Sequence, residues 1–425
     1  MKQYESYKDS GIQWWGSVPS HWDLSKAKHM FSLVTDSVSD SSLPKIALEN
    51  IESGTGRYIP TEADFMGEGI EFEPDDILFG KLRPYLAKVY KAEFRGQSVG
   101  DIYVFRGNDK QVSGFLKYLL LSYPFISVVD GSTYGAKMPR ANWDFISHMI
   151  LPCPSKIEQE TIASYLDHKV GQIDAAITEK EQMLEDLKAY RSAIISEAVT
   201  KGLNKDVEMK DSGIDWIGEI PANWEISKLK YTGSFDNGLT YSPDDVVEDG
   251  ILVLRSSNIQ NSQLSFEDCV YVKEVPDDLL VKDGDIIICS RNGSANLVGK
   301  CAYVDHIDNA SFGAFMMRYR PSISSKFAFY AFQTLTSFYK GLYSTSTINQ
   351  LTKAVIDQMF MAIPPLKKQV QIASHIDRKI KFIDTSVNEI QSQIDDLKAY
   401  KSSIITEAVT GKVDLRGWKS NNDKA

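Results

Sequence analysis

An internal repeat of roughly half the chain limits the folds that this sequence can adopt. Residues 8–28 and residues 210–230 are identical at 12 of 21 positions, and residues 187–200 and 397–410 are identical at 11 of 14. The stretches between these blocks have diverged almost entirely. Because a repeat decides the architecture before any local motif does, the 425 residues form two similar frames that carry different inserts. We expect pseudo-two-fold symmetry and two different ligands or half-sites.

A long amphipathic segment follows each insert. Its apolar residues recur at alternating spacings of four and three, which is the pattern of a coiled-coil helix. Pro154 and Pro364 precede the two segments, at positions where proline does not interrupt a helix. The two apolar stripes are natural partners, and an antiparallel pair would give the chain a quasi-circular layout. The predicted seam comprises Leu166, Val170, Ile173, Ile177, Leu184, Leu187, Ile194, Ile376, Ile380, Ile383, Val387, Ile390, Ile394, Leu397 and Ile404.

The inserts have the local pattern of mixed α/β domains. Short segments rich in β-branched or aromatic residues and bounded by Gly, Asp or Pro predict strands. These segments are residues 76–79, 101–105, 250–254, 285–289 and 315–319, whereas residues 114–122 and 326–335 predict buried helices. The predicted fold is two α/β (α+β) domains joined by a long antiparallel two-helix coiled coil. The predicted boundaries are a first domain at 1–155, a helix at 156–205, a second domain at 206–365, a helix at 366–412 and a tail at 413–425.

Composition excludes several classes of protein. Lys and Arg number 47 against 57 Asp and Glu, and a net charge of -10 argues against a chain that holds nucleic acid alone through a broad basic surface. The four cysteines form no C-x-x-C pair, so neither a zinc knuckle nor a disulfide framework is indicated. Without an apolar leader or a run of about eighteen apolar residues, we expect a cytoplasmic protein.

Catalytic motifs are missing from the sequence. It contains no phosphate-binding Gly-rich loop ending in Gly-Lys-Ser/Thr, no G-x-G-x-x-G, no H-E-x-x-H and no G-x-S-x-G. Pro74-Asp75 and Pro243-Asp244 could open a nuclease-type carboxylate pair, but turns are the better interpretation. We therefore predict no catalytic residue, no metal site and no cofactor on this chain.

Polar clusters inside the diverged inserts are the stronger functional signal. Both inserts place Arg or Lys beside Gly, Asn or an aromatic residue in loops, which is chemistry suited to base edges and phosphates. For any single residue, a solvated surface loop is an equally good interpretation. The candidates in the first insert are Lys81, Arg83, Tyr85, Lys88, Tyr134, Lys137, Arg140 and Asn142; those in the second are Arg291, Asn292, Ser294, Asn296, Lys300, Tyr343, Thr345, Asn349, Gln350 and Lys353.

Other notable residues belong to the repeated frame. Trp14, Trp22, Trp216 and Trp224 could stack on bases, but their recurrence beside different inserts favours packing. Cations that interrupt the helix seams, at residues 191 and 401, are best interpreted as register-setting or snorkelling side chains.

The order of these motifs resembles the specificity subunit of type I restriction-modification enzymes. The likeness covers nearly the whole chain and rests on the duplicated Lys-Asp-Ser-Gly-Ile openings, the Glu-Ala-Val-Thr helix ends and the Pro-x-x-x-x-Gln-x-x-Ile-Ala helix starts. The last of these are Pro154 with Gln159, Ile162 and Ala163, and Pro364 with Gln369, Ile372 and Ala373.

The resemblance implies a non-catalytic subunit with two target recognition domains, each reading half of a bipartite double-stranded DNA sequence. The helix pair would fix the spacer and dock two methyltransferase subunits, which bind S-adenosylmethionine and flip out an adenine. Motor-nuclease subunits using ATP and Mg²⁺ would complete the restriction enzyme. The acidic balance is tolerable if these partners help to hold the DNA.

Two other interpretations stay open at this point. A two-lobed coiled-coil adapter would bind proteins without reading DNA, and no feature of the sequence alone excludes it. A stand-alone nuclease or methyltransferase would be active as the purified chain, which we do not expect.

Overall fold

The computed structural model describes residues 2–38, 42–61, 65, 67–133, 135, 137–340 and 349–419. Three of the predicted DNA contacts, Tyr134, Tyr343 and Thr345, lie outside the described residues. The chain forms two compact units, described separately below. Unit 1 comprises Met1–Gln182 with Gln391–Ala425, and unit 2 comprises Met183–Ile390. Each unit holds one insert and parts of two long helices, α4 (Lys156–Lys201) and α7 (Leu366–Val409).

Unit 1 is a mixed α/β structure built on two four-stranded sheets. Its shorter helices are α1 (Ser113–Leu121), α2 (Tyr123–Gly131) and α3 (Trp143–His148), with 3₁₀ turns at Ala27–His29, Leu48–Asn50 and Pro84–Leu86. Its strands are β1 (Tyr7–Asp9), β2 (Ser17–Pro19), β3 (Asp23–Lys26), β4 (Phe31–Val34), β5 (Ser37–Val38), β6 (Lys45–Ile46), β7 (Gly69–Phe72), β8 (Ile77–Gly80), β9 (Val89–Lys91), β10 (Gly96–Ser98), β11 (Ile102–Gly107) and β12 (Ile150–Cys153).

Unit 2 repeats this plan. Its shorter helices are α5 (Ser325–Phe338) and α6 (Lys353–Ile356), with 3₁₀ turns at Leu229–Tyr231, Pro243–Asp245, Ser256–Asn258 and Asp277–Leu279. Its strands are β13 (Met209–Asp211), β14 (Glu219–Pro221), β15 (Glu225–Lys228), β16 (Gly233–Asn237), β17 (Val246–Val247), β18 (Ile251–Leu254), β19 (Ile259–Gln260), β20 (Gln263–Leu264), β21 (Tyr271–Val272), β22 (Ile286–Cys289), β23 (Arg291–Asn292), β24 (Cys301–Tyr303), β25 (Ala310–Phe312), β26 (Met316–Pro321), β27 (Asn349–Gln350) and β28 (Phe360–Ile363).

The first sheet of each unit has the same topology, whereas the second differs. The antiparallel order β4-β11-β8-β9 in unit 1 corresponds to β16-β26-β22-β24 in unit 2. The second sheets have the orders β5-β7-β10-β6 and β17-β21-β18-β25. In unit 1, β7 pairs with β10, the strand that directly precedes β11 in the chain. In unit 2 the counterpart of β7 is β21, which instead pairs with β18, the counterpart of β6. The inserts have therefore diverged in strand order as well as in sequence.

The repeated Asp-Ser-Gly-Ile motif closes a turn between two paired strands in each unit. The Asp9 carboxylate accepts a hydrogen bond from the Gly11 amide at 3.0 Å, and Asp211 accepts one from Gly213 at the same distance. Both glycines have positive φ, 66° and 71°, where a side chain would be strained. The motif is thus retained for turn geometry.

Ion pairs between an arginine and a buried carboxylate recur at equivalent places in the two first sheets. The Arg106 guanidinium donates to both carboxylate oxygens of Asp76 at 2.8 and 2.6 Å, and Arg320 donates to both oxygens of Asp285 at 2.7 Å. These carboxylates raise the pKa of both arginines. Because each carboxylate is almost fully buried, the paired arginine is needed to offset the cost of removing its charge from water.

The Gln of each helix-start motif joins a long helix to its insert. The buried Gln159 side chain accepts from the Val112 amide at 2.9 Å and donates to the Pro154 carbonyl at 2.9 Å. Gln369 makes the same two contacts, with the Ser324 amide and the Pro364 carbonyl. Since residues 112 and 324 are the N-caps of α1 and α5, this side chain fixes two helix starts together in each unit.

A second duplicated contact lies about two turns further along each long helix. The Tyr118 hydroxyl donates to Asp167 at 2.7 Å, and the Tyr330 hydroxyl donates to Asp377. Burial, followed by the nearby carboxylate, raises the pKa of both phenol groups well above the ordinary value. These polar contacts orient each insert on its long helix, where apolar packing alone would be less specific.

The long helices are antiparallel within each unit. In unit 1, Lys401 of α7 pairs with Asp174 of α4 at 2.8 Å, and Lys180 donates to Gln393 at 2.6 Å. In unit 2, Arg191 pairs with Asp384 at 3.5 Å. The two interrupting cations thus occupy equivalent places and pair with equivalent aspartates, which accords with the register-setting interpretation.

Most of the predicted seam is buried. The half-buried exceptions are Leu187, Ile194, Val387 and Leu397. Ile195 and Ile405, which the spacing did not select, are buried. The shift by one position follows from packing against the inserts: Ile195 joins the core formed by α5 and the first sheet of unit 2.

Both long helices end at a glycine in the left-handed conformation. Gly202 has φ +77° and contacts Trp224, whereas Gly411 has φ +71° and lies against Pro19. The residues after α7 then follow the N-terminal strands of unit 1, where Lys412 donates to the Ser17 carbonyl at 2.6 Å.

The predicted α/β fold with two recognition-type domains and a two-helix coiled coil is confirmed, and the predicted strands and helices are present with slightly shifted ends. None of the described helices is long and apolar enough to cross a membrane.

Candidate nucleic-acid interface

The two predicted clusters of the first insert meet on one surface of unit 1. The loop after β8 pairs with the loop before α3 through an antiparallel bridge between Leu82 and Arg140. On either side of this bridge, the Arg83 amide donates to the Pro139 carbonyl and the Ala141 amide donates to the Lys81 carbonyl, each at 2.8 Å. Residues separated by more than fifty positions in sequence are therefore adjacent.

An acidic residue faces the cations of this surface. Asp101 accepts two hydrogen bonds from the Arg140 guanidinium at 3.1 and 3.0 Å, and the Lys81 ammonium lies 3.8 Å from it. Lys81 also lies 5.2 Å from the centre of the Tyr103 ring. The Arg140 guanidinium lowers the pKa of Asp101, so this carboxylate is ionised at neutral pH. Its charge partly neutralises both cations.

The remaining candidates of unit 1 differ in how exposed their side chains are and in whether those side chains already have hydrogen-bond partners. Arg83 is exposed, and within the part of the chain that the structure describes its guanidinium has no partner. Tyr85 is 54% exposed, and Lys137 is exposed as well. Asn142 is the N-cap of α3, where its side chain accepts from the Asp144 amide at 2.8 Å.

Lys88 and Lys300, both predicted to contact DNA, bind backbone carbonyls at equivalent 3₁₀ turns in the two units. The Lys88 ammonium donates to the carbonyls of Leu48 and Ile51 at 2.7 and 2.8 Å, at the end of a 3₁₀ turn. Lys300 donates at 2.6 and 3.0 Å to the carbonyls of Ser256 and Ile259, which flank the equivalent turn. Burial lowers the pKa of Lys300. Sequence reasoning missed this structural role, since the partners lie about forty residues away.

Unit 2 also brings its two clusters together. Strands β23 and β27 pair so that Arg291 faces Gln350 and Asn292 faces Asn349. Asn292 donates to the Ser256 hydroxyl at 3.2 Å, and Asn349 donates to the Gly293 carbonyl at 3.3 Å. The amide side chains are thereby held in place beside the exposed Arg291.

A cleft of about 770 Å³ opens beside this strand pair. Three of its lining residues, Tyr241, Arg255 and Phe315, were not singled out from the sequence. Phe315 is 60% exposed, and the Arg291 guanidinium lies 5.4 Å from its ring centre. Arg255 pairs with Asp268 at 2.8 Å. The signal that the sequence offered for Phe315 was an aromatic residue at the start of a predicted strand.

The other described candidates of unit 2 are not among the residues that line this cleft. Asn296 accepts a hydrogen bond from the Lys340 ammonium at 2.6 Å. Ser294, Gln350 and Lys353 are exposed.

The frame tryptophans serve mainly in packing. Trp22 and Trp224 are buried, and Trp216 stacks on Phe338 with 4.7 Å between the ring centres. Trp14 is 39% exposed, but its neighbour Trp15 is buried and donates to the Ile150 carbonyl at 2.7 Å.

A small polar cluster elsewhere has metal-ligand residue types. Asp283, Asp305 and His306 each offer one ligand atom, all within 4.8 Å of one another. All three are exposed, and exposed acidic groups commonly cluster without an ion, so this cluster does not support a metal centre.

Comparison with known proteins agrees with this architecture. A family model described as the type I restriction modification DNA specificity domain matches residues 221–396. The EcoKI specificity subunit of Escherichia coli (strain K12) is 28% identical over 96% of this chain and 92% of its own length. The MjaVIII specificity subunit of Methanocaldococcus jannaschii is 22% identical over 80% of this chain and 77% of its own. The StySPI subunit of Salmonella potsdam is 27% identical, but that match spans about half of each chain.

A solved structure shows the same fold. A chain from a study of complex assembly and conformational transition in the type I R-M system superposes with a TM-score of 0.69 at 15% identity, covering 93% of this chain and 99% of that one. The duplicated frame, the paired long helices, the family model and the near full-length relatives agree. The chain is therefore similar, over nearly its whole length, to type I restriction-modification specificity subunits.

Proposed function

We propose that this chain is the DNA sequence-specificity subunit of a type I restriction-modification complex and that each unit reads one half of a bipartite target. One observation carries the proposal: in both units, two loop clusters from the diverged insert meet beside the end of a central strand, β8 or β22. The frame that holds them repeats its turns, its ion pairs and the contacts between long helix and insert in both units. A fixed frame with variable loops suits a protein that must recognise two different sequences.

The side chains on these surfaces have the right chemistry for DNA. Unit 1 offers Lys81, Arg83 and Arg140, and unit 2 offers Arg291 with the amides of Asn292 and Asn349. Guanidinium groups fit guanine edges, carboxamides fit adenine edges, and all of these donors can bind phosphate.

Partner subunits complete the proposal. A net charge of -10 gives general repulsion between this chain and the DNA phosphates, so affinity must come in part from elsewhere in a complex. Two methyltransferase subunits docked on the long helices would supply it, and motor-nuclease subunits would complete the restriction enzyme. S-adenosylmethionine, ATP and Mg²⁺ would bind to those partners, this chain would have no catalytic role, and the complex would act in the cytoplasm, where the cell's DNA lies.

The test is selection of binding sites from random duplex pools by this chain assembled with its methyltransferase partner. We expect two short conserved elements separated by a spacer of fixed length. Recovery of no split sequence would contradict the proposal and would favour a protein-binding adapter.

Matched variants assign the half-sites. Replacing Lys81 and Arg83 by Ala in unit 1 should weaken binding to one element by about 1–3 kcal/mol per lost base contact and leave the other element unchanged. Arg291→Ala is the matching change in unit 2 and should affect the other element. Equal losses at both elements would argue against separate readers.

A further inference from the structure

The two units place different residues at one equivalent position beside the candidate loops. Asp101 and Phe315 directly precede β11 and β26, which pair in the same register with β8 and β22. The backbone contact is also the same: the Lys81 amide donates to the Asp101 carbonyl at 2.9 Å, and the Ser290 amide donates to the Phe315 carbonyl at 3.0 Å. The position is therefore common to both units, and only its side chain differs.

In unit 1 the side chain at this position, Asp101, binds the guanidinium of the neighbouring Arg140. Asp101 takes both the Nε and Nη2 donors of Arg140, at 3.1 and 3.0 Å. A guanidinium bound in this bidentate manner has already used one edge of its planar fork.

In unit 2 the side chain at this position, Phe315, contacts the Arg291 guanidinium without accepting a hydrogen bond from it. The Phe315 side chain has no charge and no oxygen or nitrogen acceptor, and the Arg291 guanidinium lies over its ring, 5.4 Å from the ring centre. Among the residues that the structure describes, none accepts a hydrogen bond from this guanidinium. Stacking on an aromatic face restrains the plane of the fork while its N–H edges stay available. Arg291 also lines the cleft of about 770 Å³, so a ligand can approach it.

We infer that Arg291 recognises a guanine edge in one half-site and that Phe315 is its positioning residue. This inference rests on the proposed function. In the major groove, guanine presents two adjacent acceptors, N7 and O6, which match two parallel N–H donors. Adenine presents an acceptor beside an amino donor, so the same fork meets one mismatched group there. A large aromatic ring exposed to 60% beside an unpaired arginine has a clear role if it holds that arginine for recognition.

The experiment measures base preference at every position of the selected target, using the assembled complex. The wild-type complex should require guanine at one position of one element. Arg291→Ala should reduce the preference for guanine at that position by about ten- to a hundredfold. The element read by unit 1 should keep its full preference in the same molecule, which controls for folding and assembly.

Conservative variants separate positioning from general structure. Arg291→Lys should not restore the preference, because an ammonium lacks the planar fork. Phe315→Ala should relax the preference at the same position, whereas Phe315→Tyr should retain it because the ring is kept. Replacing that guanine by 7-deazaguanine, which lacks the N7 acceptor, should weaken wild-type binding and have little effect on Arg291→Ala.

Several results would overturn the inference. One is an Arg291→Ala complex with unchanged base preferences, and another is a uniform loss of affinity for all sequences with a smaller dependence on salt, which marks a phosphate contact. A third is a Phe315→Ala complex that keeps its guanine preference. If the wild-type complex selected a split sequence but one of these three results was obtained, the proposed function would stand and this inference would fall; selection of no split sequence would remove both.

Discussion

Lys401→Met should destabilise unit 1 more than the equivalent change, Arg191→Met, destabilises unit 2. The Lys401 side chain is 6% exposed, its partner Asp174 is 14% exposed, and their charged atoms lie 2.8 Å apart. The equivalent pair, Arg191 with Asp384, is looser at 3.5 Å and its side chains are 21% and 35% exposed. Removing the cation in unit 1 leaves a nearly buried carboxylate without its partner, whereas the carboxylate in unit 2 can be hydrated.

The magnitude follows from the geometry. Two unit charges 2.8 Å apart attract by about 6 kcal/mol at an effective dielectric constant of about 20, and much of this is offset by the cost of desolvation. Breaking a buried pair by removing one partner costs about 3–5 kcal/mol. Because Asp174 keeps some exposure, we expect about 3 kcal/mol for Lys401→Met, against about 1 kcal/mol or less for Arg191→Met. For a unit of about 200 residues, this difference corresponds to roughly 4–8 °C in Tm.

Thermal unfolding followed by circular dichroism measures both variants at neutral pH. The unit 1 effect should persist at about 1 M salt, because buried charges are poorly screened. Adding Asp174→Leu to Lys401→Met should recover part of the loss, since the double variant no longer buries an unpaired charge. Equal destabilisation by the two single variants, or a double variant as unstable as Lys401→Met, would refute the assignment of this pair as a buried, register-setting contact.

Three further predictions concern other parts of the fold. The pKa of Asp101 is lowered by Arg140, so its stabilising effect is complete above the ordinary carboxyl range and disappears as the pH falls through its lowered pKa. Asp101→Asn should therefore reduce the stability to urea at pH 7 and progressively less as the pH falls below the ordinary carboxyl range, and an equal loss at every pH would contradict the pairing. Gly411→Ala should cost about 1–3 kcal/mol in thermal unfolding, because φ is +71° and the new Cβ would lie 2.3 Å from a proline ring carbon; Gly417→Ala, with open space around it, is the neutral control. Lys300→Met should lower stability by about 1–3 kcal/mol through loss of two buried carbonyl contacts, measured by urea unfolding, and a variant of normal stability with impaired DNA binding would reverse this interpretation.

The repeated frame was predictable because its causes are local. A period of four and three along the chain predicts a helix seam, and Asp-Ser-Gly-Ile predicts a turn, from interactions between residues a few positions apart. Comparison of the two copies then separated the frame from the inserts. For the same reason, the polar loops after the central strands were identified as candidates without a structure.

The individual roles of the charged residues depended on tertiary contacts. Lys88 resembles a DNA-binding lysine in sequence, but its ammonium is held by carbonyls about forty residues earlier. Ile195 replaces Ile194 in the buried face because α4 also packs against α5. Phe315 gained its importance only beside Arg291, which lies on another strand.

The sequence by itself determined the duplication, the long paired helices, the fold class and the resemblance to type I restriction-modification specificity subunits, since periodicity and repetition are properties of the chain alone. Only the tertiary structure decided which cations are neutralised, which cap a turn and which stay available at a cleft. The physical reason is that the state of a charge depends on the acceptors and the water within a few ångströms of it. In this chain those acceptors come from residues tens to hundreds of positions away, as Asp174 does for Lys401.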